Sequence, residues 1–303
     1  MAINKTLTKA DVSEAGVKPH AIVVRGPDGV EAKTDFIAQE KAIAMVYNGI
    51  SHAVMMATPA DLVDFAVGFS LSEGIVDTVQ QLRSIEVMSG ELGYEVHIDI
   101  ASSSFMHLKQ RRRQLNGRSG CGICGIESLE AVQPQVPRLS GAQLPAYAVV
   151  AKAMAQMHMQ QPLQARCGAV HAAAFADING DTIALREDVG RHNALDKLLG
   201  VMASQNSPFD HTQENAHNRA QGFVVISSRA SYEMVAKAAG QAIATLVSAS
   251  APTGMAIDLA RRANMNLIGF VREARQVIYH QADFTDSCTD MSTDTNAPHT
   301  NNE

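Results

Sequence analysis

Phe223-Val224-Val225-Ile226-Ser227-Ser228-Arg229-Ala230-Ser231-Tyr232-Glu233 reads as a buried strand that turns directly into a helix. Four consecutive apolar residues suit a short strand covered on both faces. Small hydroxyls and an arginine make the turn, and the helix runs from Ser231 to about Gly240. The pattern repeats downstream: a strand at Thr245–Val247, a helix at Thr253–Ala263, a strand at Asn266–Val271 and a last short strand at Gln276–Tyr279. Upstream, His171–Asp177 and Asp181–Glu187 are strand-like and joined by Asn179-Gly180, and Arg191–Met202 is helical. Alternating strands and helices predict an α/β domain with a mainly parallel sheet and helices on its faces. Leu144–Met159 adds a helix before it.

The first half has a different grammar. Ala42–Tyr47 and His52–Ala57 flank Asn48-Gly49, the strongest short hairpin signal. Thr58-Pro59 then reads as a helix start, Thr58 as N-cap and Pro59 at the first helical position, with Leu62, Phe65, Ala66, Phe69 and Leu71 on its buried side. Ser84–Met88 and Tyr94–Ile100 form a second strand pair, and a basic helix covers roughly Phe105–Leu115. These boundaries give a loose arm (1–18), an α+β domain (19–116), a connector (117–139), the α/β domain (140–281) and a Thr/Asp/Ser/Asn-rich disordered tail (282–303).

Composition narrows the function. The chain has 303 residues, 46% hydrophobic and 18% charged, with no tryptophan. No apolar run is long enough to span a membrane, and the N-terminus has no signal-peptide core, so a cytoplasmic protein is expected. Four cysteines are too few for a disulfide scaffold. The formal charge of −6 owes most to Asp283, Asp286, Asp290, Asp294 and Glu303; without those acids the chain is near neutral. Bulk charge therefore gives no case for nucleic acid or membrane.

The chemistry concentrates in Gly120-Cys121-Gly122-Ile123-Cys124-Gly125, led by Arg111, Arg112, Arg113 and Arg118. Arginines favour the thiolate, the reactive form of cysteine. Three readings stand. Cys121 and Cys124 could be half of a zinc site completed by Cys167 and His171, if those two lay one helical turn apart. They could be a redox pair, although that motif normally opens a helix after a strand. Or they carry a persulfide, a thiolate accepting sulfane sulfur and a second thiol helping to release it.

Four strand-to-helix or strand-to-strand loops look like ligand positions. Glu187-Asp188-Val189-Gly190-Arg191-His192-Asn193-Ala194-Leu195-Asp196-Lys197 puts Arg191 and His192 at a helix start, where free N–H groups attract anions. In the blander alternative Asp188 caps that helix and Asp196 and Lys197 face solvent. Ser228 and Arg229 occupy the same context one strand later, with Ser231 as a plain helix cap. Ser248–Gly254 is the third such loop. Phe270-Val271-Arg272-Glu273-Ala274-Arg275 is the fourth, where Phe270 stacks on a ring or packs into the core and the arginines reach phosphates. Together they predict a pocket for a large anionic ligand with an aromatic part. Deamination is disfavoured: zinc deaminases use H-x-E and P-C-x-x-C, whereas this chain has His171-Ala172-Ala173 and Pro252-Thr253-Gly254-Met255-Ala256.

With Tyr47–His52, Gly68–Gly74, Gly120–Gly125, His171–Ala174, Glu187–Lys197, Ser227–Glu233 and Gly269-Phe270 in that order, the chain resembles the FdhD family, accessory sulfurtransferases of formate dehydrogenase. The resemblance implies a persulfide on Cys121 with Cys124 as its partner. It implies sulfur taken from a cysteine desulfurase and passed to the Mo-bis(molybdopterin guanine dinucleotide) cofactor, held as a bound substrate, before insertion into formate dehydrogenase. It places cofactor contacts on Phe270, Val271, Arg272, Glu273, Ala274 and Arg275. It also implies a cytidine-deaminase-like C-terminal domain without the zinc site, and a homodimer. The alternative is a cofactor-binding chaperone whose cysteines are structural or bind zinc.

Overall fold

A computed structural model describes residues 16–116, 136–204, 222–272 and 275–284, with the backbone alone at 111–116. Cys121, Cys124, Glu273, Ala274 and the expected tail beyond residue 284 lie outside the described residues.

The described residues open on a hairpin that sequence patterning missed. Strands β1 (Val17–Gly26) and β2 (Gly29–Ala38) form their own two-stranded sheet around Gly26-Pro27-Asp28-Gly29. The expected loose arm therefore ends sooner, because β1 already starts at the buried Val17. Most of this hairpin is exposed, so neither strand shows the one-sided apolar alternation that patterning detects. The hairpin at Asn48-Gly49 joins β3 (Lys41–Tyr47) to β4 (Ile50–Ala57), and both turn residues take the positive φ this turn requires, 45° and 78°.

Helix α1 (Leu62–Ser72) follows, then β5 (Leu82–Gly90), β6 (Gly93–Ile100) and α2 (Ser102–Asn116). The four strands form a sheet in the order β4-β3-β6-β5. Phe65, Phe69 and Leu62 of α1 pack on Ile43, Met45, Tyr47, Val96 and Ile98. Thr58 does not cap α1, which instead starts behind Asp61 in a left-handed conformation (φ 54°). The Thr58 hydroxyl accepts from the Val189 N–H, its own N–H donates to Asp188, and its carbonyl accepts from Lys197. Partners far along the chain have captured every polar group that capping would have used.

After the connector come α3 (Tyr147–Met159), α4 (Pro162–Cys167), β7 (His171–Ala176), β8 (Thr182–Asp188), α5 (Arg191–Ala203), β9 (Phe223–Ile226), α6 (Tyr232–Gly240), β10 (Thr245–Ser248), α7 (Gly254–Ala263), β11 (Asn266–Arg272) and β12 (Arg275–His280). They build a six-stranded sheet in the order β12-β11-β10-β9-β7-β8. The domain is α/β, but the sheet is mixed and not mainly parallel. Only β9–β10 and β10–β11 are parallel, whereas β7 runs antiparallel to β8 and β9, and β12 antiparallel to β11. The reason is local: a tight turn joins β7 to β8, β11 ends only three positions before β12 starts, and only a crossover connection yields a parallel pair.

Side chains alternate across this sheet. Val224, Ile226, Leu246 and Leu267 face α5, α6 and α7. Phe223, Val225, Val247 and Ile268 face α3. Helix α1 is buried on nearly every side because it is sandwiched between its own sheet and α5. Glycine permits that approach: a Cβ on Gly68 would overlap the Asp196 carbonyl, and one on Gly200 the Asp64 carbonyl. Ion pairs lock the seam. Arg186 meets Asp64 across the seam at 2.6 Å, and Lys197 meets Asp188 at 2.7 Å within the C-terminal half, a fully buried pair that grips the Thr58 backbone of the N-terminal half. Asp196 and Lys197 thus hold the two halves together and do not face solvent. Among the described residues no helix is long and apolar enough to cross a membrane.

Candidate functional site

The carboxyl ends of β8, β9, β10 and β11 share one edge of the sheet, and the N-termini of α5, α6 and α7 rise from it. Open α/β sheets bind ligands at this edge. The structure brings most of the expected site residues to it.

On the β8–β9 side, His171 opens β7 opposite Asp188. Its Nδ1 lies 3.5 Å from the Ser227 hydroxyl, which also accepts from the Ala172 N–H. Arg191 and His192 form the first turn of α5. Arg191 Nε is buried without a hydrogen-bond partner, and neither Arg191 nor Arg229 has a carboxylate partner among the described residues. His192 Nε2 stands 3.0 Å from Glu233 Oε2, at ion-pair distance but without hydrogen-bond alignment. Burial and the Arg191 charge hold His171 below the ordinary imidazole range, while Asp188 opposes them. Burial also lowers His192; Glu233 pulls it up, and Arg191 and Lys237 push it down. Both rings sit beside guanidinium groups that have no carboxylate partner among the described residues. Ser228 contributes less than expected, since it is 6% exposed and its hydroxyl donates to the Arg229 carbonyl. The Ser231 hydroxyl donates to Glu233 and does not cap the helix backbone.

On the β11–β12 side, Phe270 has φ 52°, a left-handed conformation that costs energy in a bulky residue. It breaks the ladder between Gly269↔Val277 and Arg272↔Arg275. Gly269 eases the packing there, since a Cβ would press tightly on the Ser250 carbonyl, Tyr279 and Pro252. The Arg275 guanidinium sits 5.4 Å from the centre of the Phe270 ring, a cation–π distance. Beside them a cleft of about 630 Å³ runs along α3, lined by Tyr147, Ala151, Met154, Ala155, His158, Val271, Arg272 and Arg275. That volume suits a small-molecule site. Val271 is nearly buried and belongs to its floor; Arg272 and Arg275 are exposed at its mouth.

Sequence reasoning missed the α3 wall of this cleft. Tyr147, Ala151 and Ala155 recur every four residues and mark one helix face, but nothing local says what that face meets. It also missed Glu233 and Lys237. Lys237 donates to Ser72, Glu73 and Asp196 and so joins α6 to the N-terminal half.

One expectation is corrected. Cys167 and His171 are not one helical turn apart: Gly168 (φ 65°) ends α4, and His171 starts a strand. Cys167 packs with Val17, Leu163 and Val170, and its thiol donates to the Leu163 carbonyl. The helix starts that oppose each other are Arg191-His192-Asn193 on α5 and Ser231-Tyr232-Glu233 on α6. Among the described residues no group of three or more His, Cys, Asp or Glu could hold a metal.

The profile of the FdhD/NarQ family matches residues 38–285. The chain belongs to the FdhD/NarQ family. It is 48% identical over 271 residues to the sulfur carrier protein FdhD of Xanthomonas euvesicatoria pv. vesicatoria, covering 88% of this chain and 93% of that protein. The sulfur carrier protein FdhD of Acinetobacter baylyi is 46% identical over 256 residues, covering 82% and 88%. That of Cupriavidus necator is 49% identical over 246 residues, covering 81% and 82%. A crystal structure from Desulfotalea psychrophila, named for a formate dehydrogenase accessory role, shares the fold with a TM-score of 0.65. It is 22% identical and covers 87% of this chain and 96% of its own. The FdhD/NarQ motifs of the N-terminal half, around Tyr47 and Ser72-Glu73, thereby acquire a structural place. Tyr47 is buried on Ser70, and Ser72 and Glu73 meet Lys237 at the seam.

Proposed function

We propose that this chain is a cytoplasmic sulfur carrier acting as a sulfurtransferase, which loads sulfur on Cys121 and delivers it to the molybdenum cofactor destined for formate dehydrogenase. The observation that carries the sulfur role is the match, over 81 to 88% of this chain, to proteins named sulfur carriers. The roles of Cys121 and Cys124 are those the family resemblance implies, and the Cys-x-x-Cys spacing with its leading arginines agrees with them. The Cys121 thiolate attacks the outer sulfur of a cysteine desulfurase persulfide; that S–S bond breaks and the donor leaves as a thiolate. Cys121 then holds one extra sulfur. Attack by the Cys124 thiolate on the inner sulfur of Cys121 forms a Cys121–Cys124 disulfide and frees hydrosulfide for the acceptor. A cellular dithiol reduces the disulfide for the next cycle.

The acceptor in this proposal is the bis(molybdopterin guanine dinucleotide) form of the cofactor, bound as a substrate. The cleft supports that reading. Its apolar wall and the Tyr147 ring suit a flat base, and Arg272 and Arg275 suit phosphates. Phe270 on β11 and Ser227 after β9 are two strand spacings apart, about 10 Å. A nucleoside diphosphate can bridge that span and bring its charge towards Arg191 and Arg229. We further propose a second copy of the chain as a partner. The exposed hairpin β1–β2 supports this, with Val23 69% and Val30 68% exposed, because a lone two-stranded sheet is marginal in water.

Intact-mass measurement after incubation with a cysteine desulfurase and cysteine tests the carrier role. A one-sulfur adduct that maps to residues 119–127 and is lost in Cys121→Ala supports it. No adduct, with free thiols and an active desulfurase, would leave a cofactor-binding chaperone as the better account.

A further inference from the structure

Helices α5 and α6 meet along a two-rung ladder. His192 and Asp196 lie one turn apart on α5; Glu233 and Lys237 lie one turn apart on α6. The upper rung is His192–Glu233 at 3.0 Å, and the lower is Asp196–Lys237 at 2.9 Å. Glu73, from the end of α1, closes the lower rung at 2.8 Å from Lys237. The lower rung is nearly buried, with side-chain exposures of 3% and 11%. The upper rung sits at the rim, where His192 and Glu233 are 34% and 44% exposed. Next to it, Arg191 Nε is a buried atom without a hydrogen-bond partner.

Charge at the rim is therefore unbalanced in a particular way. The helix N-termini, Arg191 and Arg229 attract an anion. Glu233 is a carboxylate in the same place and repels it. The charged groups that act on His192 are Arg191 on its own helix and Glu233 and Lys237 on α6. In the free protein burial first, and then Arg191 and Lys237, lower the affinity of the ring for a proton against the pull of Glu233.

We propose that anion binding at this rim is proton-linked: when phosphate groups dock beside Arg191, His192 takes up a proton from solvent and neutralises Glu233. The imidazolium then faces Glu233 on one side and the ligand on the other. Lys237 cannot serve instead, because Asp196, Glu73 and Ser72 already engage it. The proposal rests on reading the rim as part of the cofactor site, and it adds that affinity falls as pH rises. The sign follows from the charges. An added anion favours the charged ring, so the bound state holds the proton to higher pH than the free state, and binding is tighter at lower pH.

The test uses the full chain and GDP as the probe, one guanine nucleotide arm of the proposed substrate. Histidine ring C–H signals are followed by NMR from pH 5 to 8 with and without saturating GDP, and His192→Gln assigns the His192 signal. Saturation should move the His192 midpoint up by about one pH unit, as a nearby opposite charge does. GDP affinity should fall about tenfold more in the wild type than in His192→Gln across that range, the variant removing the nucleotide's own titration from the comparison. Glu233→Gln should lower the His192 midpoint in both states. GDP binding with an unmoved His192 midpoint would overturn the proton linkage and leave the site reading standing. No GDP binding at any pH would overturn the site reading, and the linkage with it.

Discussion

Replacing Lys197 with methionine tests the buried ion pair that grips the Thr58 backbone at the seam between the two halves. The Lys197 ammonium is fully buried, 2.7 Å from Asp188 Oδ2 and 2.9 Å from the Thr58 carbonyl, and 5.9 Å from the centre of the Phe65 ring. Methionine keeps the volume and the contact with Phe65, so the change removes charge without opening a cavity. Asp188 is then a buried carboxylate without its counter-ion. Stripping one partner from a buried pair costs about 3–5 kcal/mol. Here the lower end applies, because Asp188 keeps three donors: the Thr58 N–H at 3.0 Å, the Gly190 N–H at 2.8 Å and Asn193 Nδ2 at 3.0 Å. The expected loss is about 3 kcal/mol, which lowers the melting temperature by roughly 6 °C at about 2 °C per kcal/mol for a chain of this size. The chain has no tryptophan, so urea unfolding is followed by far-UV circular dichroism. Asp188→Asn and the double variant complete a cycle, with a coupling of about 1–3 kcal/mol expected. A loss below about 1 kcal/mol with no coupling would show that the pair is not what holds the seam.

Two further outcomes follow from the same geometry. Lys237 is raised above its ordinary value of 10.5 because Asp196 and Glu73 stabilise the cation more than burial opposes it. A raised lysine contributes stability that is fully present below the unfolded value and is lost as pH rises through the folded one. Thermal stability should therefore hold to about pH 10.5 and fall above it, and Lys237→Met should remove that alkaline step; an identical step in the variant would place its origin elsewhere. On the exposed hairpin, Val23 and Val30 project from one face, since Val30 pairs with Arg25 and Val23 with Ala32. Val23→Glu with Val30→Glu should convert a dimer to a monomer in light scattering. A monomeric wild type, or a variant that stays dimeric, would remove the hairpin as a contact between copies.

Sequence patterning located the α/β half well because its strands are buried on both faces and its helices follow at once. Phe223–Ile226, Asn266 onward and the Asn48-Gly49 turn needed no partner information. It failed where a residue's role is set from a distance. Thr58 looks like a helix cap in any local window and is instead held by Asp188, Val189 and Lys197, more than a hundred positions away. The exposed β1–β2 hairpin failed for the opposite reason, since no buried face imprints a pattern on it.

By itself, the sequence determined the α/β class, the order of motifs that marks the FdhD/NarQ family and the residue types able to carry sulfur and bind an anion. Those depend on periodicity, turn chemistry and side-chain chemistry, all of which are local. Only the tertiary structure decided that Asp196, Lys197 and Lys237 are seam residues, that α3 walls a cleft against Arg272 and Arg275, and that His192 faces Glu233. Each of these is a meeting of elements distant in sequence. Such meetings are fixed by which apolar faces bury one another and by glycines that let α1 approach α5, and neither can be read one segment at a time.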